Sequence, residues 1–249
     1  MSDFIEIKNL RKVYTVGEEK VVALDKINLS IAKGEVCCVL GTSGSGKSTL
    51  LNMLAGLEKP TKGRVIINNT DISSLDEKGL AVFRQDNIGF VFQSYNLMPA
   101  ITAWENVAMP LVFRGLDKQT REKEAHKILK RVGLKDRVQH KPTEMSGGQQ
   151  QRVGIARAFV SKPNLVFADE PTGNLDSKTS HEVMTLMVRM AKKYRQTLVI
   201  VTHDEAVARY SDRIIHITDG KVDSDNVNLS CLEEGKRNEE KILKGEQLA

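Results

Sequence analysis

Long hydrophobic runs are missing from this 249-residue chain. No stretch approaches the roughly 18 apolar residues that a membrane-spanning helix needs. The best candidates, Val36-Cys-Cys-Val-Leu40 and Leu165-Val-Phe-Ala168, are strand-sized. The opening Met1-Ser-Asp-Phe-Ile-Glu lacks the basic region and apolar core of a secretory signal. The expectation is a chain that neither spans a membrane nor leaves the cytoplasm by that route. Cysteine is scarce too. Cys37 and Cys38 adjoin in an apolar strand and Cys231 sits in a polar stretch, so neither a disulfide framework nor metal-ligand spacing exists. All three read as small hydrophobes in a reducing compartment. Aromatics are 5% of the chain and no basic stretch carries them interleaved, so nucleic acid is not an expected partner. Charge of one sign does not dominate: 37 basic residues against 32 acidic give +5, which suits an anionic ligand or surface but decides little. There is no internal repeat.

What is present is a globular composition, 40% hydrophobic and 28% charged, with a readable order of elements. The first ten residues alternate, Ile5 and Ile7 against Glu6 and Lys8, as in a half-exposed strand. Residues 21–24 and 27–31 continue a β-rich opening, broken at Lys33-Gly34. The apolar strand 36–40 follows, then glycines and a helix-forming run over 49–57; residues 64–67 and 88–92 are further strands. From about Tyr95 to Val160 the pattern turns helical. Ala125, Ile128, Leu129 and Val132 make one helical stripe, with Gly133 placed to end it. After Pro163, apolar strands at 165–168, 198–201 and 214–217 alternate with a helix striped by Val183, Leu186, Met187 and Met190. Continuous apolar strands separated by helices imply a mostly parallel sheet covered on both faces. The expected architecture is an α/β core over residues 1–222 with a helical subdomain inserted at about 95–160. Residues 223–249 are expected to be a charged tail, with a marginal helix or mobile segment at 233–246.

Gly41-Thr-Ser-Gly-Ser-Gly-Lys-Ser-Thr49 contains G-x-x-x-x-G-K-[ST] between an apolar strand and a helix, the context that makes this pattern a phosphate loop. The cradle comprises Gly41, Ser43, Gly44, Ser45, Gly46, Lys47, Ser48 and Thr49. Its glycines let backbone N–H groups face inward, and the helix adds its positive end. Lys47 supplies charge for the β- and γ-phosphates, and the Ser48 hydroxyl is placed for Mg²⁺. Leu165-Val-Phe-Ala-Asp-Glu170 delivers Asp169 and Glu170 to a strand's carboxyl end. Asp169 can hold Mg²⁺ and Glu170 can polarise an attacking water.

Many chemistries use such a loop; Met145-Ser-Gly-Gly-Gln-Gln-Gln-Arg152 narrows them. Ser146, Gly147, Gly148 and Gln149 open a second helix and form a second anion-binding terminus. A second cradle makes sense if it covers a nucleotide from the opposite side. Two copies arranged head to tail would then hold two ATP molecules at their seam. A phosphate-loop kinase leaves this run unexplained.

These runs, together with Ile88-Gly-Phe-Val-Phe-Gln93, Asp169-Glu-Pro-Thr-Gly-Asn-Leu-Asp176 and Val201-Thr-His-Asp204, resemble the nucleotide-binding subunit of ATP-binding-cassette (ABC) transporters over about residues 4–222. Within that family the chain looks most like the LolD/MacB group. The resemblance implies a P-loop NTPase fold, hydrolysis of ATP with Mg²⁺, and pairing with a second copy. It also implies an FtsX/MacB-like integral membrane permease and a peripheral place on the cytoplasmic face of the bacterial membrane. Lipoproteins, peptides or antibiotics, or a mechanical output, would be the cargo. The alternative is a soluble ABC ATPase acting on ribosomes or DNA. Transferred residue by residue, Tyr14 is similar to the aromatic that stacks on adenine. Gln93 is similar to the glutamine that meets Mg²⁺ and water, and His203 to the histidine at the γ-phosphate. With Lys47 and Glu170 they form the expected catalytic set, and Ser48, Gln93 and Asp169 the expected metal ligands. Residues 174–176 resemble a loop at the dimer seam, although Asp176 could equally cap the following helix. Met145 and Thr42 depart from the family's commoner leucine and proline without removing a phosphate donor. His126, His140, His181 and His216 receive no role.

Overall fold

A computed structural model describes residues 3–228; Cys231 and the segment 233–246 lie outside the described residues. The chain opens with β1 (Ile5–Val16) and β2 (Glu19–Ile31), then β3 (Val36–Leu40), which runs into α1 (Lys47–Leu54). β4 (Lys62–Ile67), the short β5 (Thr70–Asp71), α2 (Glu77–Asn87) and β6 (Ile88–Phe92) follow. Three helices come next: α3 (Ala103–Phe113), α4 (Lys118–Arg131) and α5 (Gly147–Val160). The chain then alternates through β7 (Leu165–Asp169), α6 (Ser177–Tyr194), β8 (Thr197–Thr202), α7 (Glu205–Ala208), β9 (Arg213–Thr218) and β10 (Lys221–Val227).

The apolar strands pair in the order β10-β9-β3-β8-β7-β6. All neighbours from β9 to β6 are parallel, and only β10 is antiparallel. A second, antiparallel sheet has the order β2-β1-β4-β5. This is the expected P-loop architecture, a mostly parallel sheet flanked by helices with an antiparallel β-rich opening. The two apolar faces of the central sheet explain why its strands read as unbroken runs. In β3, Cys37 and Val39 enter a core shared with α1 and the antiparallel sheet, while Val36, Cys38 and Leu40 enter a core shared with α3–α6. The adjacent cysteines thus serve opposite faces. Burial pushes the Cys38 thiol up to about 12 and raises Cys37 as well, so both behave as inert core residues.

The helical segment does not own a separate core. Val107, Leu111, Ile128, Leu129 and Val153 belong to the same buried cluster as Val166, Ala168 and Ile200 of the sheet. The stripe on α4 is buried as expected, and Gly133 follows its end in the left-handed region at φ +79°. Asp176 caps α6, its carboxylate accepting from the Thr179 N–H at 3.0 Å.

One expectation fails, and one reading is refined. The β-rich opening over 21–24 and 27–31 is one continuous strand, β2. Order is not lost at Asp223: β10 pairs with β9 through Val227. It is an edge strand whose polar side chains hide its periodicity, and the Asp225 carboxylate accepts from the Arg213 guanidinium at 2.5 Å. Helix α2 is a further element that the periodicity does not announce, although Asp76 caps it, accepting from the Gly79 N–H at 2.7 Å.

Candidate functional site

The carboxyl ends of the parallel strands define the site, as open α/β sheets require. A cleft of about 810 Å³ is lined by most of residues 41–49 with Gln93, Glu170, His203 and His216. β3, β6, β7 and β8 each deliver one of its walls.

The loop's shape follows from its glycines. A Cβ at Gly41 would lie 2.3 Å from the Ile217 carbonyl oxygen, and Gly46 holds φ +103°. Gly46 is the N-cap of α1, no side chain caps the first turn, and no carboxylate lies in it. The positive end of α1 is therefore left for an external anion. Lys47 is buried to 7% exposure, its Nζ donating to the Thr42 carbonyl oxygen at 2.7 Å across the loop, while the Ser48 side chain is exposed. The Ser45 side chain, in contrast, turns into the protein, 3% exposed and outside the cleft wall. Uncapped N–H groups, a buried ammonium and a free hydroxyl fit a polyphosphate with its divalent cation.

Glu170 leaves β7 with φ +43°, a left-handed conformation that costs a glutamate on the order of 1–2 kcal/mol. Neighbouring groups hold it there. Its N–H donates to the Val201 carbonyl oxygen at 2.9 Å. The Thr202 hydroxyl donates to Oε2 at 3.0 Å and His203 Nδ1 meets Oε1 at 2.8 Å. A carboxylate only accepts, so His203 presents its Nδ1 proton to Glu170. Asp169 precedes it. Burial pushes the Asp169 carboxyl up, the Glu170 charge adds to the rise, and Lys47 opposes it. Gln93 follows β6; its Nε2 would lie 2.6 Å from a Cβ on Gly173, and the Asn174 amide donates to its backbone oxygen at 3.1 Å.

Two predicted sets, and Asp169 as well, are not part of this cleft's lining. Ser146–Gln149 do not line it. They form a capping box, with the Ser146 hydroxyl oxygen accepting from the Gln149 N–H at 3.4 Å and Gln149 Oε1 from the Ser146 N–H at 3.1 Å. The Ser146 O–H remains free to donate outward. Tyr14 also lies off the cleft wall. Its hydroxyl donates to Glu58 Oε2 at 2.8 Å, and Lys12 Nζ sits 5.0 Å from its ring centroid. Sequence reasoning missed Thr202, which nothing but its place before His203 announces, and it dismissed His216, whose strand β9 brings it to the cleft.

The profile of the family described as "ABC transporter" matches residues 24–173. The lipoprotein-releasing system ATP-binding protein LolD of Geobacter metallireducens is 48% identical, over 90% of this chain and 100% of that protein. The macrolide export ATP-binding/permease protein MacB of Vibrio parahaemolyticus is 44% identical over 93% of this chain but only 36% of its own length. Among solved structures, the cassette MJ0796 of Methanocaldococcus jannaschii, a dimer in a post-hydrolysis state with ADP and Pi, aligns with TM-score 0.83 and 45% identity, over 90% of this chain and 98% of that one. The chain belongs to the ABC transporter family. Within it, the chain is an ATP-binding subunit that hydrolyses ATP, related to the LolD and MacB components of membrane transporters.

Proposed function

We propose that two copies of this chain close head to tail around two ATP molecules and drive a separate FtsX/MacB-like permease. The observation that carries this reading is the separation of the two anion-binding helix starts. α1 opens into the cleft, while α5, with the free Ser146 hydroxyl, faces elsewhere on the same chain. The dimeric state of the MJ0796 cassette supports the pairing. MacB, an ATP-binding/permease protein by name, supports the permease. The cassette would be the expected residues 1–222 together with the rest of β10, to Val227, with helices from about 95 to 160 as its coupling part.

In this reading the backbone of residues 41–49 and Lys47 hold the phosphates. Residues 146–149 of the second copy reach the same γ-phosphate. Closure is favoured because only the triphosphate spans both cradles. Glu170 takes the proton of the attacking water, and its fixed carboxylate is set by Thr202 and His203. His203 lies where its ring can also serve the γ-phosphate. Ser48, Gln93 and Asp169 would hold Mg²⁺, which supplies positive charge against the transferring phosphoryl group. Tyr14 stacks on the base once its ring is free of Lys12. Loss of the γ-phosphate removes the bridge between cradles and the dimer loosens.

Thr202 provides a first test. Thr202→Val keeps the buried shape and deletes the hydroxyl, so turnover should fall about tenfold while ATP affinity stays within about twofold. Steady-state ATPase rates and nucleotide titration read the two quantities separately. An unchanged turnover would mean that Glu170 needs no such support.

The permease would seat in a groove of about 630 Å³ walled by α2, β6, α3 and α5, whose apolar lining includes Leu57, Phe90, Phe92, Met109, Pro110 and Phe113. Phe113 is 67% exposed and Leu57 50%, an arrangement that calls for a covering partner. Among the described residues no helix is long and apolar enough to cross a membrane, so on this reading the protein sits at the inner face through that contact. Phe113→Asp should leave basal ATPase unchanged and abolish co-purification with a polytopic membrane protein from detergent extracts. Retention of the membrane protein would move the docking site elsewhere. Ribosomal proteins in its place would contradict the transporter role.

A further inference from the structure

Gln151 lies on α5 and is fully buried. Its surroundings on that helix, Val153, Ile155 and Ala156, are apolar. The side-chain amide nitrogen donates twice, to the Phe92 carbonyl oxygen at 3.3 Å and to the Pro171 carbonyl oxygen at 2.5 Å. Phe92 immediately precedes Gln93, and Pro171 immediately follows Glu170. One amide thus joins the ends of β6 and β7 at the two residues that flank the catalytic set. Its Oε1, meanwhile, has no hydrogen-bond partner. A buried, half-satisfied amide is a destabilising choice where an apolar side chain of equal length would fit. Stability alone does not account for it.

The same helix grips the other side of Gln93. The Arg157 guanidinium donates to the backbone oxygens of Tyr95, at 2.9 Å, and of Asn96. Both of those residues have left-handed backbones, φ +60° and +49°. α5 therefore holds the segment before Gln93, the segment after it, and the exit from Glu170. Its N-terminus is Ser146.

We infer that Gln151 is a positioning residue through which a nucleotide seated at the N-terminus of α5 sets Gln93 and Glu170 in the chain's own cleft. This rests on the two-copy reading above, in which that nucleotide belongs to the second chain's cradle. Each site would then adjust the other, because movement of α5 carries both strand ends with it. ATP hydrolysis would be cooperative for that reason.

The test uses the full chain with Gln151→Met, which keeps the length and removes the donor, and Gln151→Leu as a second apolar replacement. Both should unfold at or above the wild-type temperature. At a temperature where circular dichroism shows both folded, kcat should fall about tenfold, with half-saturating ATP within about twofold. The Hill coefficient for ATP should fall to 1 from a wild-type value above 1. Wild-type turnover within about twofold in either folded variant, or an unchanged Hill coefficient, overturns the inference. A Glu170→Gln protein with Gln151 intact that shows no ATP-dependent dimer would instead overturn the two-copy reading, so the two failures are told apart.

Discussion

The Glu170→Gln protein is expected to bind ATP with near-native affinity, hydrolyse it about 10²–10⁴-fold more slowly, and elute as an ATP-bound dimer. That loss corresponds to roughly 3–5 kcal/mol of barrier, the range a general base supplies. Glutamine preserves shape and tolerates the left-handed backbone at 170 as glutamate does. Its carbonyl can still accept from Thr202 or His203, so the pocket should survive. What it cannot do is take a proton from water. Phosphate release, nucleotide titration and size-exclusion chromatography with and without ATP measure the three quantities. Turnover within about tenfold of wild type would place the base on another residue.

Lys47→Ala should have the second largest effect, and on binding rather than on chemistry alone. Alanine is the best helix former, so α1 should start as before. The ammonium it removes is buried in the loop and aimed across it, where a charge-assisted contact contributes about 1.5–3 kcal/mol. ATP affinity should therefore fall about 10–150-fold and turnover further still, with the unfolding midpoint little changed. Retained affinity would mean that the uncapped N–H groups of α1 bind the phosphates unaided.

Much of this was legible in the sequence, for physical reasons that differ by element. The central sheet was readable because β3, β7 and β8 are buried on both faces, which leaves no polar position to interrupt the run. The loop at 41–49 was readable because its glycines answer a local backbone demand that few other residues meet. β10 was not. This edge strand carries polar residues on both faces, and its place is fixed by pairing with β9 and by Arg213. Thr202 and Gln151 were equally silent, since a hydroxyl or an amide gains meaning only from the carbonyls and carboxylates the fold brings to it. Ser45 was legible only as backbone: its place within the motif puts its N–H in the expected cradle, while its side chain packs inward. Gly147 and Gly148 also serve packing, since a Cβ at each would come within 2.7 Å of the Tyr95 hydroxyl and 2.5 Å of Thr179 respectively.

An experimental structure of Glu170→Gln protein loaded with ATP and Mg²⁺ tests the shared pocket most directly. The expected result is a two-fold dimer in which Ser146 and the N–H groups of Gly147 and Gly148 from one copy lie within hydrogen-bond distance of the γ-phosphate held by Lys47 of the other. A loaded monomer, or a dimer whose Ser146 faces solvent while the phosphates touch a single chain, would contradict it.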